Sequence, residues 1–104
     1  MPSGILGRQL PNSSTLTTVY TVPVGKTASV TIAACNQNPT DYSKVRIALS
    51  DSDTPDSNNY IEYDAAIHPF GVLERSAIVL AAGQRIVVST TLNTVSFVVF
   101  GIEE

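Results

Sequence analysis

The sequence is short of the residue types from which active sites are most often built. Among its 104 residues are one cysteine, one histidine and no tryptophan. The lone Cys35 excludes an internal disulfide bond, and the lone His68 excludes a metal site with two histidine ligands from one chain. Cys35 is expected to be a small, half-buried apolar residue at a strand end, and His68, directly before Pro69, an extended loop residue. We therefore expect no enzymatic activity, and no catalytic, cofactor-binding or metal-binding residues.

Charge is also scarce. Charged residues make up 14% of the chain and the net charge is −3, whereas about 25% is usual in soluble proteins. The six lysines and arginines form no cluster, which argues against nucleic acid as a partner. No apolar run approaches the roughly 20 residues of a membrane span, and the first residues lack the pattern of a signal peptide. We expect synthesis in the cytoplasm and a hydroxyl-rich surface suited to packing against other subunits.

The clearest structural signal lies in the stretch from Tyr20 to Asn36. Beyond the turn at Gly25, two sets of side chains alternate over residues 27–34. The apolar set is Ala28, Val30, Ile32 and Ala34, and the other set is Thr27, Ser29, Thr31 and Ala33. This period of two is typical of a strand with one buried face, and the strand's length predicts a position inside a sheet.

Turn-forming residues divide the rest of the chain into similar segments without helical periodicity. They predict strands at 16–22, 26–35, 43–50, 60–64, 72–80, 85–91 and 95–102. The last strand is apolar on both faces, so it is expected to be central or covered by a neighbouring chain. The predicted fold is all-β: a single-domain antiparallel β-sandwich, or a jelly-roll-like one, of about seven to eight strands over residues 15–104. Residues 1–14 are predicted to be an N-terminal arm without secondary structure that orders by lying on a partner subunit.

Several residue patterns resemble functional sites without meeting their requirements. Gly25-Lys26-Thr27 matches the end of a phosphate-binding loop, but Tyr20 stands where that loop needs a glycine, and a strand is predicted where it needs a helix. A calcium site built from Asp51, Asp53 and Asp56 is an open alternative to a surface loop held by Asx turns.

The remaining candidates are carboxylates and tyrosines. The spacing of Glu62, Asp64 and Glu74 does not support a glycosidase pair. Tyr60 and Tyr63 are three residues apart on one predicted strand, so they are expected on opposite faces, with at least one of them in the core.

Longer phrases of the sequence carry a family resemblance. They are Tyr20-Thr21-Val22-Pro23-Val24-Gly25-Lys26-Thr27-Ala28, Val30-Thr31-Ile32-Ala33-Ala34-Cys35-Asn36, Val45-Arg46-Ile47-Ala48, Tyr60-Ile61-Glu62-Tyr63-Asp64, Leu80-Ala81-Ala82-Gly83-Gln84, Val95-Ser96-Phe97 and Phe100-Gly101. In these phrases the chain resembles small β-sandwich structural proteins from the virions of tailed bacteriophages. It departs from them at His68-Pro69-Phe70-Gly71, which is bulkier than a short polar turn.

The resemblance implies a non-enzymatic building block of the virion, in a tail, baseplate or fibre attachment or as a decoration protein on the capsid. Its implied partners are the major capsid protein or tail components, and further copies of the chain in a homo-oligomer, with a trimer favoured. The alternative is a β-sandwich module that binds a glycan, as a host-receptor adhesin does.

Overall fold

The computed structural model of the protein describes residues 3–104 and contains two antiparallel sheets of four strands each. The strands are β1 (Ser3–Gln9), β2 (Thr17–Thr21), β3 (Ala28–Asn36), β4 (Ser43–Ser50), β5 (Tyr60–Ile67), β6 (Val72–Leu80), β7 (Arg85–Thr90) and β8 (Val95–Glu103). Sheet A has the order β1-β8-β3-β6, and sheet B has the order β2-β7-β4-β5. The predicted all-β sandwich is therefore confirmed.

The core lies between the two sheets and consists of alternate residues from each strand. On β3 the inward positions are apolar because Val30, Ile32 and Ala34 alternate with the half-buried Thr31 and Ala33. The expected position of this strand inside a sheet is confirmed, since it pairs with β8 on one side and β6 on the other. The final strand is central as well, between β1 and β3.

The expectation that residues 1–14 contain no secondary structure is wrong over Ser3–Gln9, which forms the edge strand β1. Ile5 lies opposite Phe100, and Leu6 packs against the core. A bulge between Ile5 and Gly7 interrupts the alternation of side chains, which is why the segment lacks the sequence period of a strand. Met1 and Pro2 of the predicted arm lie outside the described residues.

Bulges occur on all four edge strands and on none of the central pairings. The ladders that join β1 to β8, β2 to β7, β3 to β6 and β4 to β5 each contain a shift of register. The central ladders β3–β8 and β4–β7 run without interruption. A bulge leaves one residue unpaired and twists the edge, so a further strand cannot continue the ladder there. The edges are therefore poor sites for joining another chain, and the two sheet faces are better ones.

Side chains of β4 alternate between the core and the outer face of sheet B over most of its length. Val45 and Ile47 are buried in the core, but Ala48, which the alternation places on the outer face, is also fully buried, opposite Val87. Asp53 of the following loop accepts hydrogen bonds from Thr18 and Arg85 on the outer face of sheet B. These bonds hold the loop 51–59 across the outer face of sheet B. Because the loop covers this part of the face, Ala48 is shielded from water.

The buried Asn36 organises one end of the sandwich. Its side-chain amide donates to the carbonyl oxygens of Asp41 at 3.0 Å and Ile67 at 3.1 Å. Its Oδ1 atom accepts from the backbone N–H of Asn38 and from the hydroxyl of Thr94, each at 3.1 Å. Three loops are thus joined by a single side chain whose hydrogen-bonding groups are satisfied without water.

Candidate interaction surfaces

The outer face of sheet A is largely apolar. The residues on it alternate with core residues along the four strands, and their cross-strand pairing places them side by side. We call this surface the A face; its apolar members are Ile5, Ala33, Cys35, Val72, Val79, Val98, Phe100 and Ile102.

Exposure distinguishes the A face from a normal sheet surface. Val79 is 74% exposed, Val72 63% and Ile5 56%, although such side chains are usually buried. Among the described residues that the pairing places on this face, the charged ones are Arg8 and Glu74, at opposite edge strands. An exposed apolar surface whose charged residues lie on the edge strands is typical of a protein–protein interface.

The outer face of sheet B has a different chemistry, centred on Arg46 of β4. Two consecutive residues of β5, Tyr63 and Asp64, form a bulge opposite this one arginine. The Arg46 Nε atom donates to Oδ1 of Asp64 at 2.7 Å, and its guanidinium carbon lies 4.0 Å from the centre of the Tyr63 ring. The arginine is therefore held by an ion pair and by a cation–π contact.

The bulge also overturns the expectation that Tyr60 and Tyr63 point to opposite faces. Their ring centres are 5.1 Å apart in an edge-to-face contact. Register shifts on both sides of Ile47 add residues to β5, so simple alternation does not apply to it. Neither ring is in the core, since Tyr63 is 60% exposed and Tyr60 is half-buried.

A groove of about 270 Å³ crosses this face from the segment before β2 to the bulge of β5. We call it the B groove. It is lined by Ser14, Leu16, Lys44, Arg46, Tyr60, Asp64, Ser89, Thr90 and Thr91. The floor comes from adjacent strands, because Arg46 lies directly opposite Ser89 in the β4–β7 ladder.

Hydrogen bonding sets the protonation of the groove's charged pair. The bond from Arg46 lowers the pKa of the Asp64 carboxyl below its usual value, with a smaller contribution from the charge of Lys44. The same bond raises the pKa of the Arg46 guanidinium. Both groups are therefore charged at neutral pH, and Asp64 stays ionised to a lower pH than a free aspartate does.

Comparison with known proteins leaves these surfaces to be interpreted from their own chemistry. No protein-family model, curated protein or solved structure matches the chain at a significant level. Within the described residues, moreover, no helix is long and apolar enough to cross a membrane.

The acidic residues considered from the sequence are not brought together. Asp53 is engaged by Thr18 and Arg85, whose hydrogen bonds lower its pKa, and Glu62 forms an ion pair with Arg75 of the other sheet. Over residues 3–104 no three His, Cys, Asp or Glu side chains are grouped as metal ligands would be. The calcium alternative built from Asp51, Asp53 and Asp56 thus gains no support from the geometry.

The other candidates occupy ordinary structural positions. Cys35 is half-buried, as predicted. His68 is exposed in a loop, with its Nδ1 atom 3.0 Å from the carbonyl oxygen of Pro69. Gly25 takes a positive φ of 77° in the turn that leads into β3, where a phosphate-binding loop would lead into a helix.

Sequence reasoning missed one buried polar contact, between Tyr20 and Glu103. The Tyr20 hydroxyl donates to Oε1 of Glu103 at 2.7 Å, and both residues are buried. Burial, strengthened by the bond to Glu103 and its charge, raises the pKa of the Tyr20 phenol far above its usual value. Since Tyr20 is on β2 and Glu103 on β8, the bond joins sheet B to sheet A. Their separation of 83 positions in the sequence leaves no local signal of the pairing.

Proposed function

We propose that the protein is a non-enzymatic structural component of a tailed-bacteriophage virion and that it assembles through the A face. The observation that carries the assembly part is the exposed apolar surface of that face. The virion setting is supported by the resemblance of the strand and turn phrases between Tyr20 and Gly101. The partners proposed are further copies of the chain, in a trimer, and capsid or tail proteins of the same virion.

The size of the A face fits this role. Four strands of up to nine residues, at about 4.8 Å between strands and about 3.3 Å per residue, cover roughly 500 Å² in projection. The accessible area of side chains exceeds their projected area. The A face therefore approaches the accessible surface of about 800 Å² that each partner buries in a stable interface. Because each edge strand carries a bulge, packing face to face is favoured over continuing a sheet into another subunit.

The test compares substitutions on the two outer faces. Light scattering at micromolar concentration, in low and high salt, should give a trimer or larger ring for the natural protein. Phe100→Ser combined with Ile102→Ser should give a monomer with unchanged circular dichroism, because two central apolar side chains of the A face are lost. Tyr63→Ser, on the outer face of sheet B, is the matched control and should leave the oligomer intact.

The virion setting needs a separate measurement. Antibodies against the purified protein should label intact particles of the phage that supplies the chain, as seen by electron microscopy. A natural protein that is monomeric, or an oligomer that survives the double substitution, contradicts assembly through the A face. Unlabelled particles from which mass spectrometry also recovers no copy contradict the virion role itself.

A second candidate function is recognition of a glycan, and the B groove is the observation that favours it. A half-buried tyrosine ring beside several hydroxyl groups offers both stacking and hydrogen bonding to a sugar. This function would use sheet B and is compatible with assembly through sheet A.

A further inference from the structure

The B groove carries a net positive charge. Lys44 and Arg46 contribute two positive charges and Asp64 one negative charge, which leaves one positive charge in the groove. The whole chain carries −3. A locally positive groove on a negative protein favours an anionic ligand with a single charge at this site.

Only some of the hydrogen-bond donors in the B groove are free to bind a ligand. The Nε and Nη2 atoms of Arg46 are both engaged with Asp64, at 2.7 and 3.3 Å. The Nη1 group remains, and among the described residues the exposed Lys44 ammonium forms no direct ion pair, although its charge acts on Asp64. An anion is thus offered one fixed N–H group and one mobile ammonium, rather than the two-pronged fork of a free guanidinium.

The neutral part of the B groove combines an aromatic ring, an aliphatic side chain and hydroxyl groups. Tyr60 presents a ring held edge to face by Tyr63, and Leu16 adds an apolar surface at the other end. The hydroxyls of Ser14 and Ser89 have no side-chain hydrogen bond to any described residue, while those of Thr90 and Thr91 are already engaged. A ring, free hydroxyls and one net positive charge together suit a polyhydroxylated ligand that carries an acid group.

We propose that the B groove binds an acidic saccharide, with the sugar carboxylate on Lys44 and Nη1 of Arg46 and a sugar ring against Tyr60. The inference rests on the second candidate function and adds the chemical class of its ligand. Asp64 serves as a positioning residue, because it fixes the guanidinium that would meet the carboxylate. No covalent step is involved.

The experiment measures binding of two acidic oligosaccharides, each against an uncharged counterpart. Tetragalacturonate is compared with its methyl ester, and sialyllactose with lactose, by NMR titration of the full chain at low salt. We expect at least one acid to bind about tenfold more tightly than its counterpart, since one charge-assisted hydrogen bond is lost in the neutral form. Shifts should be confined to signals of the B groove, and raised salt should weaken the binding because its charges are exposed.

Substitutions identify the site. Lys44→Gln should weaken binding of the acid about tenfold and leave the neutral sugar unaffected. Lys26→Gln removes an exposed lysine in the turn before β3, outside the groove, and is the matched control. Both side chains are exposed, so neither change should prevent folding, which circular dichroism checks.

The outcomes separate the inference from the function on which it rests. If the neutral sugars bind as tightly as the acids, or Lys26→Gln weakens binding as much as Lys44→Gln, the carboxylate assignment is overturned while glycan binding stands. If a sulphated galactose oligosaccharide binds and both carboxylated sugars do not, the acid group has been assigned wrongly. If none of the saccharides binds at millimolar concentration, both the inference and the glycan function fail.

Discussion

The Nε atom of Arg46 lies 2.7 Å from Oδ1 of Asp64 because a bulge in β5 turns Asp64 towards β4. Asp64 has a positive φ of 56°, a left-handed conformation that aspartate tolerates better than most residues. With regular alternation, Tyr63 and Asp64 would point to opposite faces of sheet B. The bulge instead directs both towards a single arginine, so a local irregularity creates the charged end of the B groove.

This pair predicts an acid titration that depends on one side chain. The Asp64 carboxyl has a pKa below its usual value, so its interaction with Arg46 is fully present above the unfolded-state pKa of about 3.9 and is lost as the pH falls through the lower folded-state value. Arg46→Gln should raise the Asp64 pKa in an NMR titration. Lys44→Gln should raise it less, because Lys44 contributes only through its charge. Equal effects of the two substitutions would contradict a direct hydrogen bond.

The bond between Tyr20 and Glu103 predicts a loss of stability in alkali. The Tyr20 pKa is raised above its unfolded-state value of about 10, so the contribution is fully present below pH ~10 and falls above it by about 1.4 kcal/mol per pH unit. Tyr20→Phe should remove this alkaline slope. It should also lower the free energy of unfolding by about 2 kcal/mol at pH 7, since the buried Glu103 loses its partner.

Urea unfolding at pH 7 to 11 measures both effects. Tyr42→Phe is the matched control, because Tyr42 is 65% exposed and its loss should change neither quantity. The same alkaline slope in the natural protein and in Tyr20→Phe would mean that another group causes it.

The fold could be predicted from the sequence where hydrophobic periodicity is unbroken. The strands predicted at 43–50 and 72–80 have the same bounds as β4 and β6 of the structure. The central β3 was identified from the alternation of Val30, Ile32 and Ala34. Such strands are predictable because a single local rule, one face in and one face out, decides every residue.

Bulges account for most of what could not be predicted. The shift at Ile5/Gly7 hid β1, and the shifts around Ile47 hid the shared face of Tyr60 and Tyr63. A bulge inserts a residue without a reliable sequence signature, and it reverses the orientation of every residue beyond it. The B groove depends on such a reversal, and the Tyr20–Glu103 bond depends on residues distant in sequence. Neither the B groove nor the Tyr20–Glu103 bond could therefore be predicted from the sequence.

The Asn36 amide predicts a large cost for its removal. Asn36→Ala would leave the carbonyl oxygens of Asp41 and Ile67 and the hydroxyl of Thr94 without this partner in a buried site. We expect a loss of about 3 kcal/mol in the free energy of unfolding. Asn93→Ala, at an exposed position of the turn before β8, should cost less than about 0.5 kcal/mol. A cost for Asn36→Ala no greater than that of the control would contradict the role of the buried amide, and chemical denaturation of both variants decides it.

Ala77 predicts a substitution that stabilises the protein. It has a positive φ of 58° in the bulge of β6, where an L-residue with a Cβ atom costs roughly 1–2 kcal/mol and glycine costs nothing. Ala77→Gly should raise the free energy of unfolding by up to about 1 kcal/mol, since the added freedom of the unfolded chain offsets part of the gain. Ala66→Gly, exposed on β5, should lower it by about 0.5–1 kcal/mol. Denaturation in urea compares the two, and a loss of stability in both variants would show that the conformation of Ala77 is not strained.

Gly7 allows β1 to pack closely against β2 of the other sheet. A Cβ atom at this position would collide with the carbonyl oxygen of Val19 on β2, so only glycine lets β1 lie so close to the other sheet. Gly7→Ala should therefore detach β1 and leave the core formed by the other seven strands folded. Hydrogen exchange should lose protection at the amides that pair β1 with β8, while those of the central β3–β8 ladder remain protected.

Gly4→Ala is an informative control, because no atom lies within 4 Å of a Cβ added at Gly4, although the positive φ of 106° at this residue adds strain of its own. Detachment should also remove Ile5, which lies opposite Phe100, from the A face and weaken any oligomer built on that face. If Gly7→Ala unfolds the whole domain instead, β1 is an integral strand of the sandwich and cannot act as a separable arm.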